Sequence, residues 1–582
     1  MRLLLLASTL VLLAACGKQE PAVTTSTPAA GARITAPASP VPALVPTRDG
    51  HFSAAISAED LAAHVQRLAS DEFEGRKPGT IGERMTTTYL VDQFRRMGLK
   101  PGLKDGYLQR VPMVETSLID ADKVAFDVAE GGNVEKFAFR TDAVVGALQA
   151  RGDVEVKDSE IVFAGYGVVA PEYQWNDYAG LDVKGKTVIV LVNDPGFGNH
   201  DASLFKGDAM TWYGRWPYKF EEAARQGAAA CLIVHDTAGA AYPWEVVVNG
   251  WSGPQQSLPV SEDPDPRLPV GGWLTTEAAR RLFAKAGADF DAQKKSADVR
   301  GFKPTALAAK LSVHLHSQVR NTSSDNVLAL LPGSERPEEV IVYSAHWDHF
   351  GRDPALKGDP VYHGAVDNGS GVAALLELAD AFAHQQPPPK RSILFFAPTL
   401  EESLLLGSRY YTGHPPYPLD KTVADINMDE LIPWGRTHDM AVMGLGQSQL
   451  DDYIGEALKA QSRVVVGDEE PEKGMFYRSD QLNFARKGVP VLFARGGFDK
   501  LDGGKDAGRK AYDEFTHAHY HKPADHYDPA WDWSGVVEDV NALYAVGRRL
   551  ADEATFPQWM ADSEFRAARE KAQAKKSATK LP

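Results

Sequence analysis

Cysteine is nearly absent. The 582 residues contain two, Cys16 and Cys231, which excludes a disulfide framework and leaves stability to the hydrophobic core and to any bound metal. An excess of positive charge is missing as well: 62 Lys and Arg stand against 78 Asp and Glu, a formal net charge of −16. There is no cationic footprint to neutralise phosphates, so nucleic acid is not an expected partner. Glycine and proline number 51 and 37, well below the roughly 25–30% of residues that signals disorder, so the bulk of the chain folds. No apolar run reaches the ~20 residues that span a bilayer as a helix, and no repeat at solenoid or propeller spacing is visible. What remains is an acidic chain long enough, at roughly 150 residues per domain, for several domains and a large core.

The N-terminus reads as an address. Met1-Arg2 is a minimal positive region, Leu3–Leu13 a short apolar run, and Ala14-Ala15 supply small residues for cleavage, the pattern of a secretory signal over 1–15. The context Leu13-Ala14-Ala15-Cys16-Gly17 resembles a bacterial lipobox, in which Cys16 becomes the lipidated first residue. That implies an exported cell-envelope lipoprotein, in the periplasm or on the outer membrane, attached by lipid alone. Residues 16–50, rich in Pro, Ala and Thr, are expected to be a disordered tether.

Beyond the tether, apolar residues at helical spacing over Ile56–Leu68 and a capping-box pattern at Thr80–Glu83 predict two opening helices. Residues 126–304 change character, with alternating stretches at Lys123–Val128 and Glu135–Arg140 and the β-branched run Lys186–Val192, and are expected to form a separate β-rich module. From about 310 strands alternate with helices: strands at Val340–Ala345, Ser392–Ala397, Val423–Met428 and Val489–Ala494, helices at Gly369–Ala383 and Glu401–Tyr411. This predicts an α/β fold, a mixed but largely parallel sheet covered by helices on both faces, with its site at the carboxyl ends of the strands. The expected organisation is a catalytic unit over 51–125 and 305–555, an insert over 126–304 and a charged tail over 556–582, frayed from about Glu564.

Each predicted strand ends in residues able to bind a metal: His346-Trp347-Asp348-His349, then Asp367-Asn368-Gly369 after its loop, Glu401-Glu402, and Asp429-Glu430. Taken singly these are weak signals, since Asp-Asn-Gly is a good turn and paired glutamates suit a helix start; the conjunction carries the weight. A His-rich loop, His517-Ala518-His519-Tyr520-His521, adds imidazoles near the C-terminus. Two imidazoles and three carboxylates suit two Zn²⁺ ions, leaving one net positive charge to favour a bridging hydroxide and polarise a carbonyl. If Glu402 is a ligand, Glu401 is surplus to the coordination count and free for acid/base work.

These residues resemble the zinc-dependent exopeptidases with co-catalytic metals, the family of bacterial aminopeptidases and glutamate carboxypeptidase. The likeness runs through His346-x-Asp348, Gly364-Ala365-x-Asp367-Asn368-x-Ser370-Gly371, Glu401-Glu402 with Leu406-Gly407-Ser408, Asn427-Met428-Asp429, Ser479-Asp480 with Gly488-Val489-Pro490, and Tyr520-His521-Lys522-Pro523-x-Asp525. Glu74-Gly75-Arg76 resembles the family's opening loop. The resemblance implies that Asp367 bridges two metals, with His346 and Asp429 completing one site and Glu402 and His521 the other. It also implies that Asp348 and Asp525 fix the imidazoles, that Tyr520 donates to the oxyanion, and that a non-proline cis peptide follows Asp367. The insert, with Gly165-Tyr166-Gly167 and Asp182-Val183-Lys184-Gly185-Lys186, resembles a protease-associated domain, and its Trp212–Tyr218 stretch is a candidate cover for the cleft. Cys231, in an apolar run, reads as an inert buried thiol.

Two positions depart from the family pattern, Leu404 where glycine is usual and Gln481 where histidine is frequent. Peptide substrates and an aminopeptidase activity are the leading expectation. A carboxypeptidase or dipeptidase on the same centre would need a cation for the substrate carboxylate, with Arg409, Arg478 and Arg495 as candidates. A non-catalytic binding protein on a peptidase fold and a one-zinc glutaminyl cyclase are further alternatives. The sequence leaves the oligomeric state open.

Overall fold

The computed structural model describes residues 55–579, which belong to one compact unit. The signal, the tether and Cys16 lie outside the described residues.

At the centre four strands run parallel. Arg336–Ser344 lies between Arg391–Ala397 and Thr422–Asn427, and Val491–Gly496 follows on the far side of the latter. Antiparallel strands flank them: the end of the long strand Thr305–Leu331 against Arg391–Ala397, and Asp439–Val442 against Val491–Gly496. The sheet is mixed and largely parallel in its core, as expected. Its strands are apolar at nearly every position because successive side chains serve two different cores. Ile341, Tyr343, Ile393, Phe395, Ile426 and Leu492 meet the helices Ala58–Leu68, Ile81–Arg96, Gly371–His384 and Ser534–Asp552. Their neighbours Val340, Val342, Leu394, Phe396 and Phe493 turn to the other face, against Tyr411, Phe484, Trp559 and Phe565.

A further core belongs to the inserted segment. Its sheet runs, strand by strand, through 133–138, 125–130, the start of Thr305–Leu331, 153–163, 187–191, 230–235, 270–275 and 143–147. It carries helices as well as strands, among them Trp216–Arg225 and Thr276–Lys285. The 27-residue strand Thr305–Leu331 serves both cores: Leu307, Leu311, Val313 and Leu315 belong to the insert, whereas Leu328 and Ala329 belong to the central sheet. The boundary expected at 304/305 therefore falls within this strand, because one extended segment is shared by two sheets. Cys231 is fully buried, and burial pushes its thiol up into an inert form.

Two other expectations are corrected. The helix expected over Glu401–Tyr411 begins only at Leu406, because Leu404 and Leu405 adopt left-handed conformations, φ 65° and 59°. The tail expected to fray from about Glu564 is anchored instead. Trp559, Phe565 and Arg569 are buried, the Glu564 carboxylate accepts the Tyr477 hydroxyl at 2.5 Å and the Trp212 amide at 3.2 Å, and Arg566–Thr579 is helical. A few anchors spaced along a polar stretch disappear in average composition. Among the described residues, no helix is long and apolar enough to cross a membrane.

Candidate metal centre

The loops that leave the carboxyl ends of the parallel strands meet on one rim, and the segment after Gly504–Ala518 joins them. His346 Nε2 lies 3.3 Å from Asp429 Oδ1 and 3.4 Å from Asp367 Oδ1. The second oxygen of Asp367, Oδ2, lies 3.1 Å from His521 Nε2, which in turn lies 3.4 Å from Glu402 Oε2. One carboxylate thus faces two separate groups of donors, one oxygen to each, and its Oδ2 is buried without a hydrogen bond. The five residues expected as ligands are brought together.

The donor set fits zinc. Around a tetrahedral Zn²⁺ with bonds of about 2.0–2.1 Å, neighbouring donor atoms lie about 3.3 Å apart, and the four separations above cluster at that value. Electrostatics point the same way. Burial opposes protonation of His521, but Glu402 and Asp367 outweigh it and push its pKa up to about 9. His346, likewise buried, is held well above its ordinary value by Asp429 and Glu401. So many carboxylates draw protons onto both rings; a divalent ion supplies the same positive charge and displaces those protons.

Glu401 adjoins this set, and its carboxylate, His346 and Asp429 offer donor atoms within 4.8 Å of one another. Its Oε2 is 3.9 Å from His346 Nε2, and its backbone N–H donates to Asp348 Oδ1 at 3.1 Å. Burial, opposed by His346 and reinforced by Asp429, Glu402 and Asp480, lifts it well above the ordinary carboxylate range. Tyr520 stacks on His521 with ring centroids 3.8 Å apart, and burial beside Glu430 and Asp367 keeps its phenol protonated. The Asp367–Asn368 peptide is cis, as expected.

Asp348 lies beside His346 Nδ1, its carbonyl oxygen at 3.2 Å and its carboxylate at 3.7 Å. Asp525 does not orient an imidazole. Its carboxylate accepts the backbone N–H groups of Val366 and Asp367 at 3.1 Å, fixing the loop that carries Asp367. A residue four positions into a loop can reach a backbone or a ring, and the motif alone does not say which.

Two residues outside the expected ligand set stand close to the centre. His349 Nδ1 sits 2.7 Å from Glu402 Oε1 and 3.9 Å from Asp367 Oδ2; its place directly after His346-x-Asp348 was the available signal. Arg76, buried, donates to the carbonyls of His363 at 2.6 Å, Gly364 at 2.8 Å, Trp347 at 2.9 Å and Leu68 at 3.1 Å. It ties the His346 loop to the Asp367 loop. Gly364 must be glycine there: φ is 58°, and a Cβ would come within 2.7 Å of Arg76 Nη2 and of His349 Cδ2.

A cavity of about 250 Å³ opens onto Asp367, Glu401, Glu402, Asp429, Tyr520 and His521. The insert contributes Trp212, Arg215 and Pro217 to its wall, whereas Tyr213 of the same stretch packs on Phe205 and Tyr218. Leu404 lines the cavity in a left-handed conformation, which explains why a glycine is natural at that place. Gln481 turns away, accepting from Asn427 and donating to the Phe476 carbonyl. Of the three candidate cations, Arg409 is committed to Glu221, Asp263 and Asp265, and Arg495 to Glu430. Arg478 lines the cavity with its Nε buried and unbonded, and so does Arg215. Neither forms an ion pair among the described residues, and burial beside Arg478 pushes Arg215 down to about 9.

Comparison with known proteins places this arrangement. The profile of peptidase family M28 matches residues 326–545. Aminopeptidase NAALADL1 of Mus musculus is 31% identical over 137 residues, 22% of this chain and 17% of that protein. The glutamate carboxypeptidase 2 homolog of Caenorhabditis elegans is 33% identical over 125 residues, 21% of this chain and 15% of that protein. The chain thus spans under a fifth of the length of these relatives. Among solved structures, an aminopeptidase from Aneurinibacillus sp. strain AM-1 aligns over 86% of this chain and 95% of its own, at 16% identity and TM-score 0.46. Residues 326–545, which hold each convergent histidine and carboxylate, are thus the part of the chain that is similar to peptidase family M28.

Proposed function

We propose that the protein is a dizinc exopeptidase, and specifically an aminopeptidase that removes N-terminal residues from peptides. The observation that carries the two-ion reading is Asp367, whose oxygens face His346 with Asp429 on one side and His521 with Glu402 on the other. These residues would hold two zinc ions, whose Lewis acidity would polarise the scissile carbonyl and lower the pKa of water. Glu401, buried, proton-seeking and outside the ligand set, takes the proton from the attacking water at its carboxylate and returns it to the leaving amine. Tyr520, protonated and lining the cavity, donates its O–H to the oxyanion. The named activity of the mouse relative supports the aminopeptidase assignment. The test compares an aminoacyl chromogenic amide with an N-blocked dipeptide: cleavage of the first alone supports it, cleavage of the second alone sinks it.

One observation favours a second reading, a carboxylate-bearing substrate. Two unpaired guanidinium groups, Arg215 and Arg478, border the same cavity, and the natural partner of such a pair is an anion. A hydrogen bond to a charged group contributes about 1.5–3 kcal/mol. Arg478→Ala is therefore expected to raise KM about 10- to 100-fold for peptides with an acidic or free C-terminal carboxylate, and to leave neutral amides nearly unaffected. An equal loss on both substrate classes would remove the carboxylate reading.

Export as a lipoprotein remains part of the proposal, on the Leu13–Gly17 motif. Cys16→Ala is expected to abolish lipidation and release the protein from the membrane fraction. Recovery of the variant still lipid-modified would sink it.

A further inference from the structure

A separate group of metal-competent side chains stands outside the candidate active site. Asp359, His363 and His526 present donor atoms within 4.8 Å of one another. None lines the cavity described above. His363 Nε2 lies 2.9 Å from Asp359 Oδ2, His526 Nε2 lies 3.6 Å from the same oxygen, and the two rings are 4.4 Å apart. These distances bracket the edge of about 3.3 Å expected between donors on a tetrahedral zinc.

The orientation of His363 decides between a solvated ion pair and a built site. The ring is 4% exposed, and its Nδ1 lies 2.8 Å from the Ala69 carbonyl oxygen. A carbonyl only accepts, so Nδ1 carries a proton, and Nε2, 2.9 Å from Asp359 Oδ2, is the nitrogen left to face an ion in place of a proton of its own. A metal-bound histidine characteristically donates its far N–H to a carbonyl or carboxylate and offers the other nitrogen to the ion. Asp359 and His526 reach solvent, at 37% and 51% side-chain exposure, so an ion can enter and water can complete its shell. By contrast, His314 and His316 meet one oxygen of Asp153 on an open surface, all three exposed, and no buried group orients either ring.

We propose that Asp359, His363 and His526 form a structural metal site for a first-row divalent ion, Zn²⁺ above all. Two imidazoles and one carboxylate suit such an ion and not Ca²⁺ or Mg²⁺, which prefer all-oxygen shells. The site joins two loops that each carry a ligand of the candidate active centre. His363 stands four residues before Asp367 and His526 five after His521, and Asp525 ties the same two loops through the backbone N–H groups of Ala365, Val366 and Asp367. An ion here clamps the rim on which Asp367 and His521 must meet. The inference does not rest on the two-zinc reading.

The test counts metal. The full-length protein is stripped by chelation, titrated with Zn²⁺ calorimetrically, and its bound zinc measured after gel filtration, for the wild type, His526→Ala and Asp359→Asn. Both substitutions are at solvent-exposed side chains, and two variants guard against one misfolding. Each variant is expected to bind one equivalent fewer than the wild type and to lose part of the zinc-dependent rise in thermal midpoint. Equal equivalents in all three proteins would overturn the proposal. Because only the difference between proteins bears on this site, the number retained by the variants reports separately on the centre at Asp367.

Discussion

Glu401→Gln is expected to lower kcat by about 10²- to 10⁴-fold, the usual contribution of a positioned general acid/base, while bound zinc stays at the wild-type level. The substitution keeps the shape of the side chain and removes only its capacity to take a proton. Glu401 is suited to that task because burial and the charges of Asp429, Glu402 and Asp480 lift its pKa well above the carboxylate range, while the short contacts to His521 and His349 belong to its neighbour Glu402. KM should change little, since the group acts on the reacting proton and not on substrate binding. Elemental analysis beside steady-state kinetics checks both halves. Loss of zinc from Glu401→Gln would mean that the roles of the two glutamates are reversed, and unchanged kcat would exclude Glu401 from the chemistry.

Arg76→Met should be the most damaging change outside the ligand set. The guanidinium donates to five carbonyl oxygens from three segments and sits among Asp367, Asp525, Asp348 and Glu402, whose charges favour its cationic form against the burial that opposes it. Methionine fills similar space and donates nothing, so the carbonyls of Trp347, His363 and Gly364 lose a shared partner and the two ligand loops are uncoupled. Removing one partner from a buried charged network costs about 3–5 kcal/mol. Loss of a residue that orients ligands costs about 10- to 100-fold in metal affinity. Arg76→Lys should rescue little, because a single ammonium cannot serve carbonyls spread around a planar fork. Thermal unfolding of the metal-free protein and competition with a zinc chelator measure the two effects. A variant with wild-type zinc affinity and wild-type thermal midpoint would show that the loops are held by other means.

The placement of the centre was legible because the strands announce themselves. Runs such as Val340–Ala345 and Ser392–Ala397 are apolar throughout, since both faces of a parallel sheet are covered, and loops at the carboxyl ends of adjacent parallel strands share one rim. Once those strands are located, His346, Asp367, Glu402 and Asp429 fall on that rim by topology, and family likeness adds His521. The helix start at 401 was misplaced because Leu404 and Leu405 adopt a backbone conformation that leucine rarely takes, and local propensity cannot see the packing that enforces it. The tail was misread because average polarity hides Trp559, Phe565 and Arg569.

The sequence by itself therefore determined the central strands, their order and the metal-competent residues that follow them, all properties of local pattern. Only the tertiary structure decided which residues distant in the chain meet: Arg76 with the carbonyls of 347, 363 and 364, Arg215 of the insert in the wall of the catalytic cavity, Asp525 on a backbone and not a ring, and His363 beside His526. Those contacts carry no periodicity or spacing of their own. They exist because burial of the apolar faces brings the loops together, and a buried guanidinium, imidazole or carboxylate must then find its partner among whatever that packing has placed within reach.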